Sequence, residues 1–73
     1  MKTRSSPLEK IIAVERILQR NPNGITTQQI IDKLYDEYGI MADRRSVYTD
    51  IYVLTRFMPI YTVKKRNMFF YCL

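Results

Sequence analysis

The chain has 73 residues, a formal net charge of +5, a single cysteine and no histidine. A chain of this length makes one small domain that buries only about 60% of the surface exposed by its unfolded chain, which leaves little room for a large catalytic pocket. The residue types exclude an intrachain disulfide framework and a plausible zinc site, and they indicate no cofactor. No apolar run approaches the roughly 20 residues that a membrane span needs, so we expect a cytoplasmic protein with no membrane partner. Residues 1–5 are expected to be a flexible tail and residues 6–73 to form the domain.

The first predicted helix has a clear beginning and end. Ser6 can cap a helix, Pro7 suits its first position, and Glu9 has the spacing of a capping box. The helix is expected to end near Arg20, before the turn-forming residues 21–24. Its apolar residues lie at helical spacing: Leu8, Ile11, Ile12, Val14, Ile17 and Leu18.

The second predicted helix follows a single isolated apolar residue. Ile25 lies between the turn and the next helix cap, where it is a candidate for a very short strand. Thr26 and Gln29 have the spacing of a capping box, and Gly39 is well placed to end the helix because glycine accepts a left-handed backbone. An apolar stripe is formed by Ile30, Ile31, Leu34 and Tyr38.

The third predicted helix covers residues 43–58, with Asp43 as its cap and Pro59 as its end. A rotation of about 100° per residue divides it into two stripes. The stripe predicted to pack on the first two helices contains Val47, Ile51 and Leu54, with Met58 close to them. The outward stripe contains Arg45, Thr49, Tyr52 and Arg56, with Ser46 and Tyr48 on its flanks.

The C-terminal residues indicate a β-hairpin. Residues 60–63 and 68–73 are rich in β-branched and aromatic side chains, and residues 64–67 lie between them as a basic tip. Phe69, Tyr71 and Leu73 alternate and are expected to face the core. The order of elements predicts an α+β winged helix-turn-helix fold, with three helices and a C-terminal β-hairpin wing.

The positive charge is unevenly distributed along the chain. Residues 1–43 contain six basic and six acidic side chains, whereas residues 44–73 contain six basic side chains and one acidic one. A clustered positive charge is typical of proteins that bind a polyanion. The alternative is a basic face that serves only solubility.

The start of the third helix has the residue types that read DNA. An α-helix fits the major groove, where arginine can bind guanine and hydroxyl groups suit phosphates. Two arginines at a helix N-terminus are unfavourable for the helix itself, which suggests a functional reason for them. The alternative is that Arg44 and Arg45 are solubilising groups or pair with Asp36 and Glu37.

The predicted wing tip supplies a second set of contacts. Three consecutive cations repel one another there, and a phosphate backbone or a narrow minor groove relieves that repulsion. The alternative is a solvated turn that protects a sheet edge. Tyr48 and Tyr52 fit a protein interface as well as a phosphate backbone. The complete set of predicted DNA contacts is Arg44, Arg45, Ser46, Tyr48, Thr49, Tyr52, Arg56, Lys64, Lys65 and Arg66.

The segment EYGIMADRRSVYTDI, residues 37–51, resembles the helix-turn-helix of bacterial WYL-domain transcriptional regulators. That family runs from a glycine through an Asp or Ser cap into Arg-Arg/Lys-Thr/Ser-Val-Tyr-Arg-Asp-Ile, and its winged domain closes on a Tyr-x-Leu pattern, as residues 71–73 do here. The similarity extends from Leu8 to Leu73. It implies DNA binding through Arg44, Arg45, Ser46 and Tyr48, with a core made by Val47, Ile51 and Leu54.

Two features depart from that family. Thr49 stands where the family usually has arginine, and the ligand-sensing WYL domain would follow Leu73. The expected alternatives are an excised domain and a small stand-alone regulator of the kind that phages or mobile elements encode.

These patterns predict a sequence-specific regulator of transcription that binds double-stranded DNA, as a repressor or a small architectural factor. Because one such domain makes a small interface, we expect a homodimer on a repeated or palindromic site. The alternative is a winged-helix interaction module that binds and inhibits a host nucleic-acid-processing complex, such as an RNA polymerase. An enzyme is not expected, because the sequence has no histidine, no nucleophile beside a base and no phosphate-binding glycine loop.

Overall fold

The computed structural model describes residues 6–73, so the expected tail at residues 1–5 lies outside the described part of the chain. The described residues form three helices followed by two antiparallel strands, which confirms the predicted α+β order. In chain order the elements are α1 (Pro7–Arg20), α2 (Thr27–Tyr38), α3 (Arg44–Leu54), β1 (Tyr61–Lys65) and β2 (Met68–Cys72). Within residues 6–73, no helix is long and apolar enough to cross a membrane.

Each helix begins at a capping box, in which a side chain and a backbone group three residues later bond reciprocally. The Ser6 hydroxyl accepts from the N–H of Glu9 at 3.1 Å. The Thr26 hydroxyl accepts from the N–H of Gln29 at 3.1 Å, and the Gln29 side chain accepts from the N–H of Thr26 at 3.0 Å. These two boxes and the Asp43 cap are confirmed predictions.

The ends of α2 and α3 differ in how well the sequence predicted them. Gly39 ends α2 with a left-handed backbone, φ of 67°, as expected, and its N–H donates to the carbonyls of Leu34 and Tyr35. The predicted end of α3 at residue 58 is wrong, because the helix ends at Leu54. Arg56 and Phe57 then donate to carbonyls only three residues earlier, at 3.1 and 2.9 Å. Pro59 disfavours a helical backbone in the residue before it, which fits the tighter turns here.

The core lies where the three helices meet. The apolar stripes predicted for α2 and α3 face this core, which confirms them. Ile31, Tyr38 and Met58 are only partly buried, at the edge of the core. Leu8 and Ile12 of α1 are instead 66% and 40% exposed, since they lie on the face of α1 opposite Ile17. The buried core residues are Ala13, Val14, Ile17, Leu18, Ile25, Ile30, Leu34, Ile40, Val47, Ile51 and Leu54.

The two strands form a hairpin that is hydrogen-bonded to the segment between α1 and α2. Ile25 and Tyr71 exchange backbone hydrogen bonds of 3.1 and 2.8 Å, which confirms the short extended piece. The strands pair from Tyr61 opposite Cys72 to Lys65 opposite Met68. The turn is therefore only residues 66–67, shorter than the predicted tip at 64–67.

One face of the hairpin approaches the turn between α1 and α2. Gly24 has φ of 134°, and a Cβ there would lie 3.3 Å from the Cβ of Phe70, so this close approach requires glycine. Tyr71 and Leu73 pack against the core, as predicted. The prediction that Phe69 faces the core is wrong, because Phe69 lies near the tip, beyond the buried cluster, and is 58% exposed.

Candidate nucleic-acid interface

The outward stripe of α3 continues into the turn that follows the helix. All four predicted members, Arg45, Thr49, Tyr52 and Arg56, are exposed. The guanidinium carbon of Arg56 lies 5.7 Å from the ring centroid of Tyr52, within the range of a cation–π contact. The Thr49 hydroxyl donates to the carbonyl of Arg45 at 3.1 Å, which holds that hydroxyl against the helix. The stripe thus presents two cations and one aromatic ring to solvent.

One flank of α3 forms a shallow groove with the hairpin and the start of α2. Arg44 and Tyr48 line this groove from α3, Thr26–Gln28 line it from α2, and Asn67–Phe69 line it from the hairpin. The Arg44 guanidinium donates to the side-chain oxygen of Gln28 at 3.4 Å. The N-terminal half of α3 and the end of the hairpin therefore border one surface, which we call the α3–hairpin groove.

Ser46 has a structural task at the start of α3. Its backbone N–H donates to the Asp43 carboxylate at 2.8 Å, and its hydroxyl donates to the carbonyl of Asp43 at 3.0 Å. The backbone hydrogen bond from Ser46, followed by its side-chain hydrogen bond, holds the pKa of Asp43 below its ordinary value. Sequence reasoning treated Ser46 as a DNA contact and missed this capping box, although the three-residue spacing was visible.

The three cations of the predicted wing tip point in different directions. Lys64 pairs across the strands with Phe69, and its ammonium nitrogen lies 5.7 Å from the ring centroid. Because successive strand residues alternate between faces, Lys64 and Phe69 lie on one face of the hairpin, and Lys65 and Met68 lie on the other. Arg66 occupies the turn itself, where it is exposed. The hairpin end is thus positively charged on both faces and at its tip.

The acidic residue of α3 lies away from the outward stripe, on the side of the helix that contacts α1. Asp50 is the only acidic side chain among residues 44–73, and it forms an ion pair with Lys10 of α1. The ammonium group of Lys10 also donates to the carbonyl of Ser46 at 3.2 Å. Sequence reasoning missed this pair, because a contact between residues 40 positions apart requires knowledge of how α1 and α3 pack.

One of the two acidic partners considered for the arginines of α3, Glu37, pairs with other cations. Glu37 lies 3.7 Å from both Arg20 and Lys33. Among residues 6–73, no ion pair involves Arg44 or Arg45. Both guanidinium groups are exposed and available to an anionic partner.

Comparisons of the chain with protein-family models, with curated proteins and with solved structures found no match. The resemblance to WYL-domain regulators therefore stays a prediction from the motif at residues 37–51.

Proposed function

We propose that this protein is a winged helix-turn-helix regulator of transcription that binds double-stranded DNA. In the proposed complex α3 lies in the major groove, and the hairpin acts as a wing on the adjacent backbone or minor groove. The observation that carries the proposal is the charge around the α3–hairpin groove. Arg44 lines it from α3, and Lys64 lies over the ring of Phe69, which lines it from the hairpin. The one acidic side chain of residues 44–73 is paired with α1.

The dimensions of α3 suit this role. Its 11 residues span about 16 Å, and the major groove of B-DNA is about 12 Å wide, so a helix of this length crosses it with its N-terminal half near the bases. Arg45 lies in the first turn on the outward stripe, where a bidentate contact to guanine is feasible. Arg44 and Tyr48, on the flank, are placed for phosphate contacts on the side of the hairpin.

The hairpin turn supports a functional role for its charge. Arg66 and Asn67 both have positive φ values, 50° and 66°, as in a type I′ turn. Such turns favour Asn-Gly, and a long side chain at a left-handed position is uncommon. Arginine at this position is thus poorer for the turn than asparagine or glycine, and a DNA phosphate near the tip explains why a cation is present there.

A fluorescence-anisotropy titration of labelled random duplex at two salt concentrations tests the proposal. We expect binding that weakens as salt rises, because each neutralised phosphate releases counterions. Arg45→Ala is expected to weaken binding, whereas Arg16→Ala, which removes the same charge from the exposed face of α1, is the matched control. Absence of salt-dependent binding up to high micromolar protein contradicts the proposal.

A second candidate function follows from a different surface. Tyr35 and Met41, 61% and 80% exposed, line a groove that also contains Asp32 and Asp36. Exposed apolar groups rimmed by charge are typical of protein interfaces. This groove favours a protein-interaction module, and the partner proposed for it is a host nucleic-acid-processing complex. A partner retained from nuclease-treated lysate by the wild type, and lost by Tyr35→Ala, supports that function; retention only when DNA is present counts against it.

A further inference from the structure

Two apolar side chains remain exposed beside the tip of the hairpin. Met68 and Phe69 are 50% and 58% exposed, and they are the first two residues of β2. Both line the α3–hairpin groove, and neither belongs to the buried core cluster. Large apolar groups at the end of a projecting element are unfavourable in water and are typical of contact sites.

Each of these side chains is paired with a cation on the same face. Lys65 is the cross-strand partner of Met68, and Lys64 is the partner of Phe69. Arg66 adds a third cation at the turn. Each face of the hairpin end therefore carries one ammonium group from β1 beside one apolar group from β2.

That arrangement matches the chemistry of a DNA minor groove. Its two walls carry phosphates, and its floor presents sugar and base edges that apolar side chains contact. Methionine and phenylalanine are among the side chains that proteins insert between base steps from this groove. From Phe69 to the turn the hairpin projects about 7 Å, close to the groove depth of about 7.5 Å.

The minor groove of an undistorted duplex is too narrow for a two-stranded hairpin. The minor groove of B-DNA is about 6 Å wide, whereas two paired strands lie about 4.8 Å apart before their side chains are included. A two-stranded hairpin therefore enters only when the groove opens, and opening by an inserted wedge bends the duplex toward the major groove.

We propose that Met68 and Phe69 form an apolar wedge that opens the minor groove and bends the bound DNA. The inference rests on the proposed function, since it concerns how the hairpin meets the same DNA. It also predicts part of the sequence preference. Pyrimidine–purine steps such as TA and CA unstack most easily, so the bound site contains one such step beneath the hairpin.

The test uses the tightest duplex that the intact protein recovers from a random pool, labelled at both ends for energy transfer. Binding of the wild type is expected to bend the duplex by about 20° or more, which shortens its end-to-end distance. Phe69→Thr, which keeps a strand-forming residue, is expected to bind less tightly and to leave the duplex straighter. Phe57→Ala removes another exposed aromatic ring, outside the hairpin, and is the matched control.

A second arm changes only the DNA. Replacement of the pyrimidine–purine step by GG is expected to weaken wild-type binding by about tenfold. A duplex that stays straight when bound, an equal bend with Phe69→Thr, or equal affinity for the GG duplex overturns the wedge and leaves DNA binding intact. Failure to recover any duplex overturns the wedge and the proposed function together.

Discussion

Lys10 of α1 and Asp50 of α3 form an ion pair that joins the two helices on the flank of α3 opposite Tyr48. Their side chains are only 15% and 16% exposed. The pair adds a polar contact between α1 and α3 to the apolar contacts of the shared core. It also neutralises the one carboxylate of α3, which leaves its exposed face positively charged.

The ion pair is expected to stabilise the fold. Asp50→Asn leaves the largely buried side chain of Lys10 without its charged partner, and we expect it to lower the free energy of unfolding by about 1–3 kcal/mol. Urea denaturation of Lys10→Met, Asp50→Asn and the double variant measures the coupling between the two side chains. A coupling energy near zero contradicts the structural role of the pair.

Thr49 offers a test in the direction of tighter binding. It lies exposed on the outward stripe between Arg45 and Arg56. The helix-turn-helix motif that residues 37–51 resemble usually has arginine at this position. Thr49→Arg is expected to add one phosphate contact and so steepen the dependence of log affinity on log salt by about 0.9. Gln19→Arg, which adds the same charge on the exposed side of α1, controls for net charge. Equal gains from both variants contradict a specific contact at residue 49.

Replacement of Arg66 is expected to have opposite effects on the stability of the hairpin and on its affinity for DNA. Arg66→Gly removes the side chain from a left-handed backbone position, so the hairpin becomes more stable, by up to about 1 kcal/mol. The same change removes a cation from the tip and is expected to weaken DNA binding. Thermal unfolding and anisotropy measure the two effects on one sample. A lower melting temperature for Arg66→Gly, or an unchanged affinity for DNA, contradicts this role of Arg66.

Asp43 predicts a specific dependence of stability on acid. Its pKa is lowered in the folded protein, chiefly by the hydrogen bond from the N–H of Ser46, so ionisation of Asp43 favours folding. That contribution is complete above the ordinary carboxyl pKa and is lost as the pH falls through the lower folded value. Asp43→Asn still caps the helix but does not titrate, so its melting temperature should fall less between pH 6 and about pH 3. If the melting temperatures of both proteins fall equally between these pH values, ionised Asp43 does not stabilise the fold as predicted.

Local signals made much of this fold predictable. Ser6, Thr26 and Gly39 act within one helix turn, so their effect is visible from neighbouring residues alone. The stripe of Val47, Ile51 and Leu54 follows from helical periodicity in the same way.

Features that depend on tertiary distance were harder to predict. Phe69 alternates correctly with Tyr71 but lies beyond the reach of the helices, so periodicity alone gave the wrong burial. The end of α3 depended on the turns before Pro59. The Lys10–Asp50 pair and the grouping of Arg44 and Phe69 around one groove depend on packing between distant segments.

The most direct test of the central claim is a nitrogen-15 NMR titration of the intact protein with duplex DNA. We expect the largest changes in amide chemical shift at residues 44–49 and 64–69, on both sides of the α3–hairpin groove. Amides on the exposed side of α1, including those of Leu8 and Gln19, should change little. Changes confined to the surface of Tyr35 and Met41, or no changes at saturating DNA, contradict the claim that this groove and α3 bind DNA.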